Sequence, residues 1–244
     1  MSLLPLRIFR KISVFILAVA LTIVYVNYEV SAKEYDPRRD SYVFFKVDNG
    51  DMKIALSFDD GPHPTKTDKI LDILEKYNVK ATFFMVGSQA EYCPETAKRV
   101  AELGHEIGNH TQNHKSLAKL TEAELDMEIS LAENSITEAC GYIPSLFRPP
   151  EGVCTEKIAD AAKYRGYSIV MWSVDTLDWQ GRSGEEIAAE VEKQVHPGSV
   201  ILMHDGIFRK AHTDDALEII IPRLMDLGYE FVTVGDLISE RCAE

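Results

Sequence analysis

The chain is 244 residues long, 45% apolar and 27% charged, with a formal net charge of −13. That length suits a single well-packed domain. The acidic balance argues against the basic, phosphate-neutralising surface that DNA or RNA binding needs, so no nucleic-acid partner is expected.

Residues 1–32 differ from the rest. Arg7, Arg10 and Lys11 precede an apolar run of 15 residues, Ile12 to Val26, and the small residues Val30, Ser31 and Ala32 follow it. A basic start, an apolar middle and a small-residue end form the pattern of an export signal. As a helix rising about 1.5 Å per residue the run reaches ~22 Å, short of a ~30 Å hydrocarbon core. Three readings stand: a cleaved signal peptide, an uncleaved membrane anchor that borrows its flanks, and a buried core helix. The first two place the remaining chain outside the cytoplasm, at the cell envelope. The second also makes the membrane a partner. Cys93, Cys140, Cys154 and Cys242 permit disulfides in such a compartment without identifying a pair, and they show no CxxC spacing.

Residues 33–52 mix charge, one proline and a short aromatic patch, and read as a stalk. From Lys53 to about residue 240 the rhythm changes to that of a folded domain. Strand-like runs are expected at 53–58, 81–86, 106–109, 146–148, 168–174, 199–204 and 231–234, with helical periodicity at 67–77, 94–103 and 213–227 between them. Thr121-x-x-Glu124 and Ser183-x-x-Glu186 are capping boxes that mark two further helix starts. Pro222 inside the last helical pattern predicts a kink or two short helices. Seven apolar strands separated by helices describe a parallel sheet with helices outside, either closed into a barrel or open and doubly wound.

In such folds chemistry gathers at the carboxyl ends of the strands, and polar clusters stand there. They are Asp59-Asp60-Gly61-Pro62, His110-Thr-Gln-Asn-His114, Arg148-Pro-Pro-Glu-Gly152, Asp175-Thr-Leu-Asp178-Trp179 and Leu202-Met-His204-Asp205. Adjacent side chains of an extended strand face opposite ways, so Asp59 and Asp60 share one site only if the backbone turns at once. Gly61-Pro62 supplies that turn; by itself the string would read as an ordinary surface turn. One acid can then ligate a cation while the other handles a proton. His110 and His114, four apart, face one side if their segment makes a helical turn. Joined with Asp60 they give the two-histidine, one-carboxylate set of a catalytic metal with open positions. Such an ion makes hydrolysis feasible at neutral pH. Asp59 is placed to take a proton, and His204 to give one to a leaving amine, unless it is a satisfied core histidine. Arg148 would keep Asp59 ionised and oriented, the alternative being a surface ion pair.

These five strings, in this order and spanning roughly Lys53 to Ile238, resemble the NodB-homology polysaccharide deacetylases of carbohydrate esterase family 4. The resemblance implies an α/β fold, a distorted (β/α)7 barrel. It implies Asp59 as base, with Asp60, His110 and His114 holding one divalent metal, zinc first and cobalt, nickel or manganese as alternatives. It further implies that Arg148 holds the base and that the RPPEG loop, with Pro150, borders the substrate, the backbone N–H of Glu151 facing an oxyanion. Asp175 would orient and tune the acid His204, Trp179 would wall the sugar site, and Leu202 would line the acetyl pocket. Glu151 stands where the family commonly has Tyr, which adds a carboxylate near the groove. The implied activity is metal-dependent removal of N-acetyl groups from the amino sugars of a polymer, peptidoglycan first. Alternatives are chitin-type oligomers, O-acetyl esters, a non-catalytic glycan-binding module, or an anchored structural protein of the envelope.

Overall fold

The computed structural model describes residues 35–47, 50–206 and 211–241. The hydrophobic helix expected within residues 1–32 lies outside them. Among the described residues no helix is long and apolar enough to cross a membrane.

Nine strands pair in parallel among the described residues: β1 (Val43–Phe44), β2 (Lys53–Asp59), β3 (Thr82–Met85), β4 (Glu106–Asn109), β5 (Leu146–Phe147), β6 (Ser168–Val170), β7 (Val174–Asp175), β8 (Val200–His204) and β9 (Glu230–Phe231). Their order is β1-β6-β5-β4-β3-β2-β8-β7, with β9 beside the start of β2. Packed against the sheet are α1 (Lys66–Lys76), α2 (Gly87–Tyr92), α3 (Pro94–Glu102), α4 (Glu122–Cys140), α5 (Glu156–Tyr164), α6 (Gly184–Gln194), α7 (Thr213–Asp226) and α8 (Val234–Arg241). This is the α/β curled parallel sheet expected of a distorted barrel.

The expected single strand 168–174 is two strands at opposite ends of the sheet order, β6 next to the edge strand β1 and β7 on the far edge. Met171 N donates to Phe44 O and Ser173 N to Val200 O, so the chain leaves one ladder and enters the other within two residues. That bend is what curls the sheet into an incomplete barrel. Within the segment 33–52, read from the sequence as a stalk, residues from Pro37 onward belong to the compact unit. β1 pairs with β6, and Val47, fully buried, donates its N–H to Gly198 O just before β8. The segment therefore straps the two sides of the gap together, burying Val43, Phe44 and Val47. The seventh expected strand ends at Phe231, since Val234 N and Gly235 N bond to Thr82 Oγ1 and Glu106 Oε2 and open α8.

Both capping boxes form, at Thr121 and Ser183. α7 runs through Pro222 as one helix. The carbonyl that Pro222 cannot pair belongs to Glu218, an exposed residue. The core joins Leu56, Phe58, Phe83 and Ile201 of the strands to Leu74, Ile187 and Leu217 of the helices. Each such side chain contributes roughly 1.5–3 kcal/mol on burial. Because the strands are parallel, their carboxyl ends share one rim. The structure leaves Cys93 and Cys140 as free thiols.

Candidate active site

β2 ends at Asp59, and Asp60 takes a left-handed conformation (φ 75°) that aspartate tolerates better than most residues. The reversal lets the two acids converge on one side of the rim. Asp59 Oδ2 lies 3.8 Å from His110 Nε2, while Asp60 Oδ1 lies 3.5 Å from His110 Nε2 and 3.2 Å from His114 Nε2. Asp60, His110 and His114 each offer an atom within 4.8 Å of the other two.

The histidine segment makes no helical turn. Thr111 (φ 67°) and His114 (φ 51°) are left-handed, and this irregular loop aims both rings inward. Asn109 Oδ1 accepts from Thr111 N, and Thr111 Oγ1 accepts from His114 N. Glu128 of α4 accepts from both Asn113 N and Asn113 Nδ2, and its own carbonyl accepts from Gln112 N. Glu128 escaped the sequence reading. Its signal was a charged residue inside the buried stripe Leu125, Ile129, Ala132 of that helix.

These residues fit a divalent ion. His110 Nδ1 donates to Arg148 O at 2.7 Å, which fixes the tautomer and turns the Nε2 lone pair toward the acids. Asp60 Oδ1 is buried without a well-formed hydrogen bond, the condition of an oxygen that awaits a cation. Burial works against the Asp60 carboxylate, yet contact with His110 and the charges of His110, His114 and His204 hold it ionised, with a pKa lowered to about 2.

Arg148 is fully buried and forms no surface pair. Its Nη1 donates to Asp59 Oδ1 at 2.7 Å and to Ser57 Oγ, while Nε and Nη2 donate to Val170 O and Met171 O at the bend. The rings of Phe84 and Trp172 flank the guanidinium, 4.0 and 5.9 Å from their centroids. Four of the five N–H groups of the fork are thus engaged, one on Asp59 and three on groups that fix the guanidinium in place.

His204 closes β8 beside Asp59, its partner across the ladder. The carboxylate on its Nδ1 is Asp178 Oδ1, at 2.7 Å, and Asp178 Oδ2 accepts from His204 N and Thr213 Oγ1. Asp175, expected in that position, instead accepts from Leu177 N within its own turn. The reason is local: Leu177 is left-handed (φ 54°), and the 3-10 turn Asp178–Gln180 tucks Asp178, fully buried, under the imidazole. Burial opposes the charged ring, but Asp178's bond and charge, with Asp59 and Asp60, raise the His204 pKa to about 9.

The remaining expected residues border the same rim. Leu202 is buried on the β8 face it shares with His204, Pro150 is buried, and Trp179 is 47% exposed. Glu151 is exposed and left-handed (φ 60°, ψ 8°). Gly152 follows because a Cβ there would stand 2.5 Å from the Trp172 ring.

Comparison with known proteins agrees with this geometry. Residues 46–170 match the family model described as polysaccharide deacetylase. Over 208 residues, 84% of this chain and 96% of the relative, the chain is 40% identical to a peptidoglycan-N-acetylglucosamine deacetylase of Bacillus cereus. The fold superposes on the crystal structure of a peptidoglycan N-acetylglucosamine deacetylase bound to a naphthyl N-oxidanyl-benzamide. Its TM-score is 0.78 at 41% identity, covering 80% of this chain and 92% of that one. A family 4 acetyl xylan esterase from Clostridium thermocellum, solved with a cobalt ion, gives a TM-score of 0.71 at 34% identity over 77% of this chain and 90% of that one. The chain belongs to the polysaccharide deacetylase family, carbohydrate esterase family 4. It is a hydrolase that removes acetyl groups from a glycan.

Proposed function

We propose that the chain deacetylates the N-acetylated amino sugars of peptidoglycan outside the cytoplasm, releasing acetate. One observation carries this reading: a single rim gathers two imidazoles and a carboxylate beside an Arg-held aspartate and an Asp-held histidine. Peptidoglycan is preferred because it is the named substrate of the similar Bacillus enzyme and of the similar structure.

A divalent ion held by Asp60, His110 and His114, with zinc suited to the donor set and cobalt present in a similar enzyme, would polarise the acetamide carbonyl and acidify water. Asp59 takes the proton from the attacking water through Oδ2, since Oδ1 is engaged by Arg148. The backbone N–H of Glu151, on its left-handed turn, donates to the oxygen that gains charge; one such donor contributes about 3–4 kcal/mol in acyl transfer. His204 then protonates the departing amine, and Asp178 holds its ring in place and stabilises the imidazolium. Leu202 lines the acetyl pocket, while Pro150 and Trp179 border the sugar.

The similarity to an acetyl xylan esterase favours a second reading, hydrolysis of an O-acetyl ester on a sugar. Acetate release from purified peptidoglycan, chitin oligomers and acetylated xylan separates the two. Release from peptidoglycan is expected, abolished by a chelator, restored by Zn²⁺ or Co²⁺, and lowered about 10²- to 10⁴-fold by Asp59→Asn. Release from xylan alone would favour the ester reading, and release from none a glycan-binding role. A rate unaffected by Asp59→Asn would sink the base assignment.

A further inference from the structure

β2 ends Asp59-Asp60-Gly61 and β8 ends His204-Asp205-Gly206. Asp59 and His204 are ladder partners, and Asp205 N donates to Asp59 O at 3.1 Å. The two ends interlock. A Cβ on Gly61 would stand 2.1 Å from Asp205 Oδ2, and a Cβ on Gly206 would stand 2.5 Å from Asp60 Cβ. Each glycine thus leaves the space that the other strand's aspartate fills.

Asp205 is 1% exposed, and no step of the reaction above uses it. Its Oδ2 accepts from Thr67 Oγ1 at 2.6 Å, while its Oδ1, equally buried, has no hydrogen-bond partner. Thr67 Oγ1 also accepts from His63 N at 2.8 Å, and Thr67 N donates to His63 O. The Asp205 carboxyl therefore sits between the ligand turn and the first turn of α1, bonded to the second and pressed against the first. An unmet buried oxygen costs about 1–3 kcal/mol, which an apolar side chain of similar size would avoid. Packing alone gives no reason for a carboxyl here.

We propose that Asp205 is a positioning residue: wedged against Gly61 and pinned by Thr67, it fixes the Asp60 turn in register with His204. Without the wedge the turn relaxes into the vacated space, and misplacement by ~1 Å at a reacting centre costs up to about 10²-fold in rate. This rests on Asp60 being a metal ligand.

The test uses the full chain loaded with Co²⁺, reading Co²⁺ affinity, the visible Co²⁺ spectrum, and kcat and KM for acetate release. Asp205→Ala and Thr67→Val are expected to weaken Co²⁺ binding about 10-fold, shift the visible bands and lower kcat, with KM within about twofold. Asp205→Asn, which keeps the shape and the acceptor for Thr67, is expected to restore all three. A folded Asp205→Ala with wild-type affinity and spectrum overturns the proposal; if that variant does not fold, Thr67→Val decides by the same criterion. Wild-type protein that binds Co²⁺ but releases no acetate breaks the deacetylase reading and leaves the Co²⁺ readouts to judge Asp205. Failure of the wild type to bind Co²⁺ overturns both.

Discussion

β4 carries a histidine at each end. His105 precedes the strand and His110 follows it, both buried, at 3% and 2% exposure. At the amino end, His105 Nδ1 accepts from Ala81 N and the ring meets Phe83 edge-on at 5.4 Å. Burial, with the charge of Lys80, pushes its pKa down to about 4. At the carboxyl end, His110 donates through Nδ1 and turns Nε2 to two carboxylates. Burial works against its charge too, but Asp59 and Asp60 raise its pKa. One residue type on one strand thus has opposite proton affinities. The amino end closes its polar groups within the protein, Glu106 likewise serving as acceptor for Gly235 N. The carboxyl end aims its groups at one another, Asp60, His110 and His114 in an arrangement that could hold a cation. That asymmetry separates stability from chemistry along a single strand.

The difference predicts that rim substitutions change rate, and the largest effect is expected at the proposed acid, His204. Asp178→Asn should lower kcat by about 10²-fold or more, the scale of a general acid's contribution. Asp178 raises the His204 pKa, and the acid role proposed for His204 requires it protonated. With that charge gone the proton leaves sooner, so the alkaline limb of the kcat/KM profile should move to lower pH. Asp175→Asn keeps its bond to Leu177 N and should stay within about threefold of wild type. Equal losses in the two variants would break the assignment of Asp178. A smaller effect is expected one layer out. Glu128→Gln loosens the loop between His110 and His114, and Co²⁺ affinity should fall about 10- to 100-fold, read by titration of the metal-free protein.

Asp60, His110 and Arg148 were legible because a parallel sheet sends all its strand ends to one rim, whatever happens between them. What periodicity could not show were the changes of backbone hand. Leu177 at φ 54° makes Asp178 and not Asp175 the partner of His204, and Thr111 and His114 replace the expected helical turn with a loop. The β6–β7 break was hidden because residues 168–174 are apolar on both sides of the bend, as buried parallel strands are. β1 was missed because two paired residues among charges leave no period to detect. Glu128 was missed because a helix face announces apolar residues, and a buried acid within it is explained only by the loop it holds.

The amino end is tested through stability, with the smallest effect expected on rate. His105 has a pKa of about 4 in the folded chain against 6.5 for an ordinary imidazole. Between those values the unfolded chain holds a proton that the folded chain lacks. The stability is therefore complete above 6.5 and falls as pH drops toward 4, by about 2 kcal/mol between pH 7 and pH 5 from this group. His105→Gln removes the titration while keeping an acceptor for Ala81 N. The variant should lose some stability at pH 7, where the contact with Phe83 is missing. The gap between its stabilities at pH 7 and pH 5 should then be narrower than the wild-type gap by about 2 kcal/mol, measured by urea unfolding of the metal-free protein. Acetate release per folded molecule at pH 7 should be unchanged, since nothing at the rim moves. Equal gaps in the two proteins would mean that the folded chain accepts the proton at His105 without loss, and the contrast between the two ends of β4 would fail at the end where chemistry plays no part.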